Sequence, residues 1–298
     1  MERVSKLLEE KWIERIADEV ARQLRQYGRI RLPEQLQYPG AEVDGEEVED
    51  LVSKEAREKS QLRAPWDPEL LRRMKKCTTA RIAVGHTGSR LLTRTFLTLR
   101  ADHAKARDSV FTDVDQALLE CLGLFSVQSC CESKDVFVTR PDLGRKLNAE
   151  GEARLRQDCL PCPDVQIYAA DGLSSTAVEK NLEKILPILL EGLKTMGIRT
   201  GTPFFMRYGR VGAEDQVAEI LGAKVVCVLI GERPGLATAE SMSAYIAYNA
   251  HVGMPEANRT VVSNIHRNGL SAAEAGAYIV EVIGQILRQK ASGINLVK

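Results

Sequence analysis

Few residues of this chain have the type and spacing to do chemistry by themselves. Cys159-Leu-Pro-Cys162 is a C-x-x-C, a pattern that serves as a redox dithiol or as half of a tetrahedral zinc site. Neither use finds support in its surroundings. There is no second C-x-x-C and no H-x3-5-H to complete a site, and the pair precedes a strand instead of opening a helix. Two structural thiols are the better reading, and Cys130-Cys131 has the same status. The four histidines, His86, His103, His251 and His266, are joined neither by a G-x-S-x-G elbow nor by an H-E-x-x-H helix. G-x-G-x-x-G after the first strand and G-x4-G-K-[ST] are also absent. No catalytic residue and no metal ligand is assigned.

Two short segments keep a chemical reading open. Asp171-Gly-Leu-Ser-Ser175 follows a strand and precedes a helix, so its amides face either a phosphate or nothing beyond the helix cap. Asn264-Ile-His-Arg-Asn-Gly269 is one residue from D-x-H-x-x-G, the motif by which a histidine ligates cobalt in some cobalamin enzymes. An aspartate at the first position would accept the other imidazole proton and raise the ligand's basicity, which a neutral asparagine does poorly. A packed or turn-stabilising His266 is therefore preferred.

The elements that must position these residues are legible in the apolar periodicity. Gly201 to Gly235 reads as strand, helix, strand. Thr202 to Tyr208 is rich in aromatic and β-forming residues, Asp215 to Leu221 has helical spacing, and Lys224 to Ile230 is a nearly unbroken apolar run suited to a strand buried on both faces. Upstream, Val165 to Ala169 is a strand. Thr176-Ala-Val-Glu179 is a capping box opening a long helix, which Pro187 breaks and Gly197 ends. Tyr245 to Tyr248 and Thr260 to Ile265 are further strands, and Ser271-Ala-Ala-Glu274 caps a final helix. Strand-helix alternation of this kind predicts a parallel α/β sheet. In such a sheet ligands bind outside the carboxyl ends of the strands, which here are Arg207 to Gly212 and Gly231 to Gly235.

The fold class expected is thus α/β: a Rossmann-like parallel-sheet domain over 159–298, a mainly helical region over 65–158 with one strand at Asp135 to Val138, a linker over 29–64, and an N-terminal amphipathic helix over 1–28. That helix carries Val4, Leu8, Trp12, Ile16, Val20 and Leu24 on one stripe. It must bury the stripe on this protein's own surface, as a lid, or on another protein.

Composition sets the class of partner. The 41 basic and 41 acidic residues cancel, leaving no field to gather nucleic acid or an anionic membrane. No apolar run approaches the ~20 residues of a membrane span, the N-terminus lacks a secretory core, and an odd cysteine count of 7 fits a reducing compartment. An intracellular chain without nucleic-acid or membrane partners is expected.

Several blocks in one order resemble the light chain (small subunit) of ethanolamine ammonia-lyase: ADHAKARDSV (101–110), TRPDLGR (139–145), ADGLSST (170–176), GTPFFMRYGRV (201–211), GERPGL (231–236), SNIH (263–266) and KASGIN (290–295). The resemblance implies an adenosylcobalamin-dependent enzyme. In it a heavy chain (large subunit) converts ethanolamine to acetaldehyde and ammonia by a radical mechanism, and the light chain's α/β domain grips the cofactor's lower part. It implies cofactor contacts at Val211, Glu232 and Val261, cobalamin bound with its own benzimidazole on cobalt, and residence in the cytoplasm within a bacterial microcompartment. Shell proteins are then a second class of partner, for which the N-terminal helix is a candidate address. Two departures stand out. The family often has cysteine where this chain has Val261, so only a main-chain contact carries over, and Gly85-His86 replaces a usual Gly-Arg. A salt bridge from Glu232 to Arg233 or Arg207 is the structural alternative to its cofactor role.

Overall fold

A computed structural model of the chain describes residues 53, 56, 58–62, 64–78 and 80–297, and 50–298 form one unit. The helix expected over 1–28 and most of the linker lie outside the described residues.

Asp67 opens α1 (Pro68–Lys76) by accepting from the amides of Glu69 and Leu70. A small hairpin, β1 (His86–Thr87) and β2 (Arg90–Leu91), leads into the long α2 (Thr93–Phe111) and the short α3 (Gln116–Cys121), capped by Asp115. There follow β3 (Phe125–Gln128), α4 (Lys134–Thr139) and α5 (Ala149–Asp158). The strand expected at 135–138 is instead helix. Ser133 caps it by accepting from the Val136 amide, Asp135 suits the first turn, and a three-residue Val-Phe-Val run is too short to separate strand from helix.

The remainder alternates as expected: β4 (Val165–Ala170), α6 (Ser175–Thr195), β5 (Phe204–Arg207), α7 (Ala213–Leu221), β6 (Val225–Gly231), β7 (Met242–Tyr248), β8 (Arg259–Ile265) and α8 (Ala272–Gln289). Pro187 does not break α6, which runs through it, because the stripe Leu182, Ile185, Leu186, Leu189 and Leu193 is fully buried on the sheet. The helix is capped by Ser174, whose side chain accepts from the Ala177 amide, and not by Thr176. Glu179, expected to close a capping box, instead accepts from the Asp115 amide. The box at Ser271 and Glu274 forms as expected.

The six strands β3 to β8 form one sheet in the order β3-β5-β4-β6-β7-β8. Its first four strands are mutually parallel, but β7 is antiparallel to β6 and β8 to β7. The expectation of a parallel sheet therefore fails at its last two strands. Only 232–241 joins β6 to β7, with no helix in it, and a parallel return needs a crossover of about a dozen residues or more. One face of the sheet is covered by α6 and α8, which approach closely where Gly192 meets Val280 and Gly276 meets Ile188. The other is covered by α5 and α7, through Leu155, Val217 and Leu221. No helix among the described residues is long and apolar enough to cross a membrane.

Candidate functional site

The sheet topology selects one end of the molecule. From β4 the chain crosses to β5 on one side, whereas from β6 it leaves to β7 on the other, so the carboxyl ends of β4 and β6 flank a switch point. The antiparallel pairing brings the start of β7 and the end of β8 to the same place.

The floor of this end is closed by backbone packing. Gly172 has φ +54°, and a Cβ there would lie 2.5 Å from Ile230 Cγ1. A Cβ on Gly231 would lie 2.6 Å from Asp171 O and closer still to Ser174 O. Only glycine fits at either position. The amide of Leu173 donates to Gly231 O at 3.1 Å and that of Ser174 to Asp171 O at 3.1 Å. With Ala177 N taken by the Ser174 hydroxyl, the amides of Leu173, Ser174 and Ala177 serve the turn and the cap.

Asp171 lies beneath this turn, 1% exposed, with Lys134 Nζ 2.8 Å from its Oδ2. The ammonium sits 5.5 Å from the Phe137 ring centroid and 5.2 Å from that of Tyr208. Burial raises the Asp171 pKa and the Lys134 charge opposes the rise. Oδ1 accepts from the Gly209 amide at 3.3 Å, which fixes the turn leaving β5. There Tyr208 has φ +56°, a strained conformation for a bulky residue. Arg210 braces the turn from the other side. Its amide donates to Gly144 O at 2.8 Å, its Nη2 to Phe137 O at 2.7 Å, and its guanidinium lies 4.2 Å from the Phe137 centroid. The turn delivers Val211, half-buried against the α5/α7 side of the sheet.

Glu232 follows β6 directly. Its Oε1 accepts from the Ser243 hydroxyl and, at 3.2 Å, from the Asn264 amide. Neither expected arginine holds it, since Arg207 pairs with Asp113 at 3.1 Å. The carboxylate thus ties the exits of β6 and β8 together while staying partly exposed. Its charge, after burial, raises the pKa of Tyr245.

Val261 lies on β8 opposite Tyr245. Cross-strand partners share a face, so the register places Phe204, Tyr168, Val228, Tyr245 and Val261 in one row. The first three are fully buried, Tyr245 is half-buried and Val261 is 44% exposed. The row therefore leaves the core and becomes an uncovered apolar wall. Ser243, two residues from Tyr245, faces the same side and meets Glu232 at the wall's end.

His266 is 8% exposed with both ring nitrogens engaged. Nδ1 accepts from the Asn268 amide at 3.2 Å, leaving Nε2 to donate to Asn264 Oδ1 at 2.7 Å. Asn264 has φ +62°, and its carbonyl accepts from Leu270 N at 3.0 Å. This is the turn-stabilising histidine, not a free ligand. Cys159 is buried, with its thiol pushed up to about 11 by burial, and Cys162 is exposed. Both are free thiols, as are Cys130 and Cys131. His86 is exposed on the β1–β2 hairpin. A separate cavity of about 1030 Å³ is lined by Gln61, Lys75, Thr78, Arg81 and Ala237.

The sequence reading missed Lys134, Ser243 and the buried Arg259 with its partners Glu214 and Asp215. A charged residue inside a β-forming run, as Arg259 is, was the one available signal.

The family model described as ethanolamine ammonia-lyase light chain (EutC) matches residues 68–297. The chain belongs to the ethanolamine ammonia-lyase light-chain family. It is similar to an ethanolamine ammonia-lyase small subunit of Fusobacterium nucleatum, 53% identical over 249 residues, 84% of each chain. It is also similar to one of Clostridium tetani, 57% identical over 232 residues, 78% of this chain and 79% of the relative. The light-chain match begins at the first residue of α1 and takes in every element of the sheet.

Proposed function

We propose that this chain is the small subunit of an ethanolamine ammonia-lyase, and that it supplies one wall of an adenosylcobalamin site facing the large subunit. The observation that carries the proposal is the row from Tyr245 to Val261, which emerges uncovered from the core and ends at the Glu232 carboxylate. The residues fit the cofactor. An exposed apolar strand face would suit the flank of a macrocycle, a fixed carboxylate at its rim would accept hydrogen bonds from amide or ribose hydroxyl groups, and His266, with both nitrogens engaged in its own turn, would not serve as a metal ligand.

In this reading 159–298 is the Rossmann-like cofactor-binding part, preceded by the mainly helical 65–158. Val211 and Val261 offer backbone groups and apolar surface that keep water from the buried side of the cofactor. Glu232 orients it, held by Ser243 and Asn264. Adenosylcobalamin, when bound, supplies a radical by homolysis of its cobalt–carbon bond. Ethanolamine and its conversion to acetaldehyde and ammonia belong to the large subunit, so this chain holds no catalytic residue. The complex works in the cytoplasm within a bacterial microcompartment, with residues 1–28 as the address read by shell proteins.

Expressing the chain alone and with a large subunit tests this. Cobalamin absorbance and deaminase activity are expected only in the complex, and activity of the isolated chain would overturn the assignment. In the complex, Glu232→Ala is expected to weaken adenosylcobalamin binding about tenfold, which is ~1.4 kcal/mol. Unchanged affinity would remove Glu232 from the site.

A further inference from the structure

Arg259 opens β8 and is 5% exposed. Its guanidinium reaches across to the first turn of α7. Nε donates to Glu214 Oε1, Nη2 lies 2.5 Å from Asp215 Oδ1, and Nη1 meets Glu256 Oε2 at 3.1 Å and Met254 O at 3.4 Å. Glu214 is 0% and Asp215 7% exposed. Glu214 and Asp215 lie 45 and 44 residues from Arg259 in sequence, so these two contacts are made only by the fold, whereas Glu256 and Met254 are local partners.

The position of this ion cluster matters more than its existence. Val211 lies three residues before Glu214 at the entry to α7, and its carbonyl accepts the Glu214 amide at 3.1 Å. Val261 lies two residues after Arg259 and, by strand alternation, on the same face. The cluster thus ties the start of α7, which Val211 precedes, to the edge strand that carries the other implied contact. Among the described residues β8 has a strand neighbour on one side only, β7. Its first residues are also held by the C-terminal segment, where Gly293 N donates to Thr260 Oγ1 at 2.8 Å, but it is the Arg259 cluster that joins them to α7.

We infer that Arg259 is a positioning residue for the cofactor wall, fixing Val261 on β8 relative to Val211 at the entry to α7 through Glu214 and Asp215. It touches no cofactor itself. The inference rests on the proposed cobalamin site. Arginine is suited to the task because its planar fork bridges two carboxylates at once, which the single ammonium of lysine does not.

The test uses the complex with the large subunit and compares Arg259→Lys with Val261→Arg, which puts a charge on the wall itself. The readouts are adenosylcobalamin affinity by equilibrium dialysis, ethanolamine KM at saturating cofactor, and thermal melting without cofactor. Arg259→Lys is expected to weaken cofactor affinity five- to tenfold while leaving the ethanolamine KM unchanged. Asp215→Asn, which removes one arm but keeps the Glu214 contact, is expected to weaken it about threefold, and serves if the lysine variant does not fold. A lowered melting temperature with unchanged cofactor affinity in both variants would overturn the positioning role. If Val261→Arg also leaves affinity unchanged, the cobalamin wall itself fails. If Val261→Arg abolishes binding while Arg259→Lys and Asp215→Asn do not, only the role of Arg259 falls.

Discussion

Lys134→Met tests whether the switch-point floor depends on a buried charge pair. Methionine keeps the stem that packs beside Phe137 and Tyr208 but removes the ammonium 2.8 Å from Asp171 Oδ2. Asp171, 1% exposed, then keeps only amide donors, chiefly that of Gly209. Removing one partner of a buried pair costs about 3 to 5 kcal/mol, because the remaining charge stays desolvated. In a domain of this size each kcal/mol shifts the melting temperature by about 2 to 4 °C, so a fall of about 6 to 20 °C is expected at pH 8.

The pH dependence carries the sharper test. Burial already holds the folded pKa of Asp171 above its ordinary value. A carboxyl with a raised folded pKa contributes stability that is present below the unfolded value and is lost as pH rises through the folded one. Without Lys134 the folded pKa climbs further, so the deficit of the variant should open as the pH passes the parent's own raised folded pKa and grow from there with rising pH. Adding Asp171→Asn in the Lys134→Met background removes the stranded charge and should recover most of the loss. Thermal melts from pH 4.5 to 8 check both points. A pH-independent deficit, or no rescue by Asp171→Asn, would refute the reasoning and leave packing alone as the cause.

Other perturbations have equally definite outcomes. Burial pushes the Glu214 pKa up to about 8 against the pull of Arg259. By the same linkage this group's contribution is present below about 4.5 and lost as pH rises to about 8. Glu214→Gln does not titrate, so its stability relative to the parent should rise across that window in urea titrations; a relative fall would contradict it. Gly231→Ala puts a Cβ against Ser174 O and 2.6 Å from Asp171 O. It should cost about 4 kcal/mol or more and be recovered mainly as insoluble chain on expression. Cys159→Ser and Cys162→Ser should leave the activity of the complex within about twofold under reducing and oxidising conditions alike, since nothing in the proposed chemistry uses a thiol. Deleting residues 1–28 should leave activity intact and release the enzyme from the shell, read by fractionation; lost activity with retained localisation would mark the segment as a lid.

Much of this site was legible because its parts are local. The run Val225–Gly231 reads as a doubly buried strand from its own residues, and its glycine marks the turn before Glu232. The loop after β5 and the Ser271 cap are similarly short-range signals. What escaped is long-range. Glu232 was expected to meet Arg233 or Arg207, yet its partners are Ser243 and Asn264, 11 and 32 residues on. Lys134 sits in a segment with no motif and is drawn in only because Asp171, 37 residues away, needs a cation. The antiparallel end of the sheet was readable in principle from the ten residues between β6 and β7, which leave no room for a crossover helix.

That antiparallel end explains why an apolar strand face is left exposed. A parallel strand beyond β6 would arrive through a crossover helix that covers one face of the sheet. The short return to β7 brings no helix, and the last helix, α8, packs on the α6 side, against Met242, Ala244, Ile246, Val262 and Ile265. Among the described residues the α7 side of β7 and β8 has no helix beyond the reach of α7, and antiparallel strands tolerate one wet face. Such a face normally carries polar residues, and Ser263 conforms. Val261 and Tyr245 do not, and Arg259, the charged residue on the same face of β8, is turned into the protein, where it meets Glu214 and Asp215 of α7. Apolar residues left exposed while the local charge is withdrawn form a surface suited to being covered from outside, which is the role the proposed function gives them.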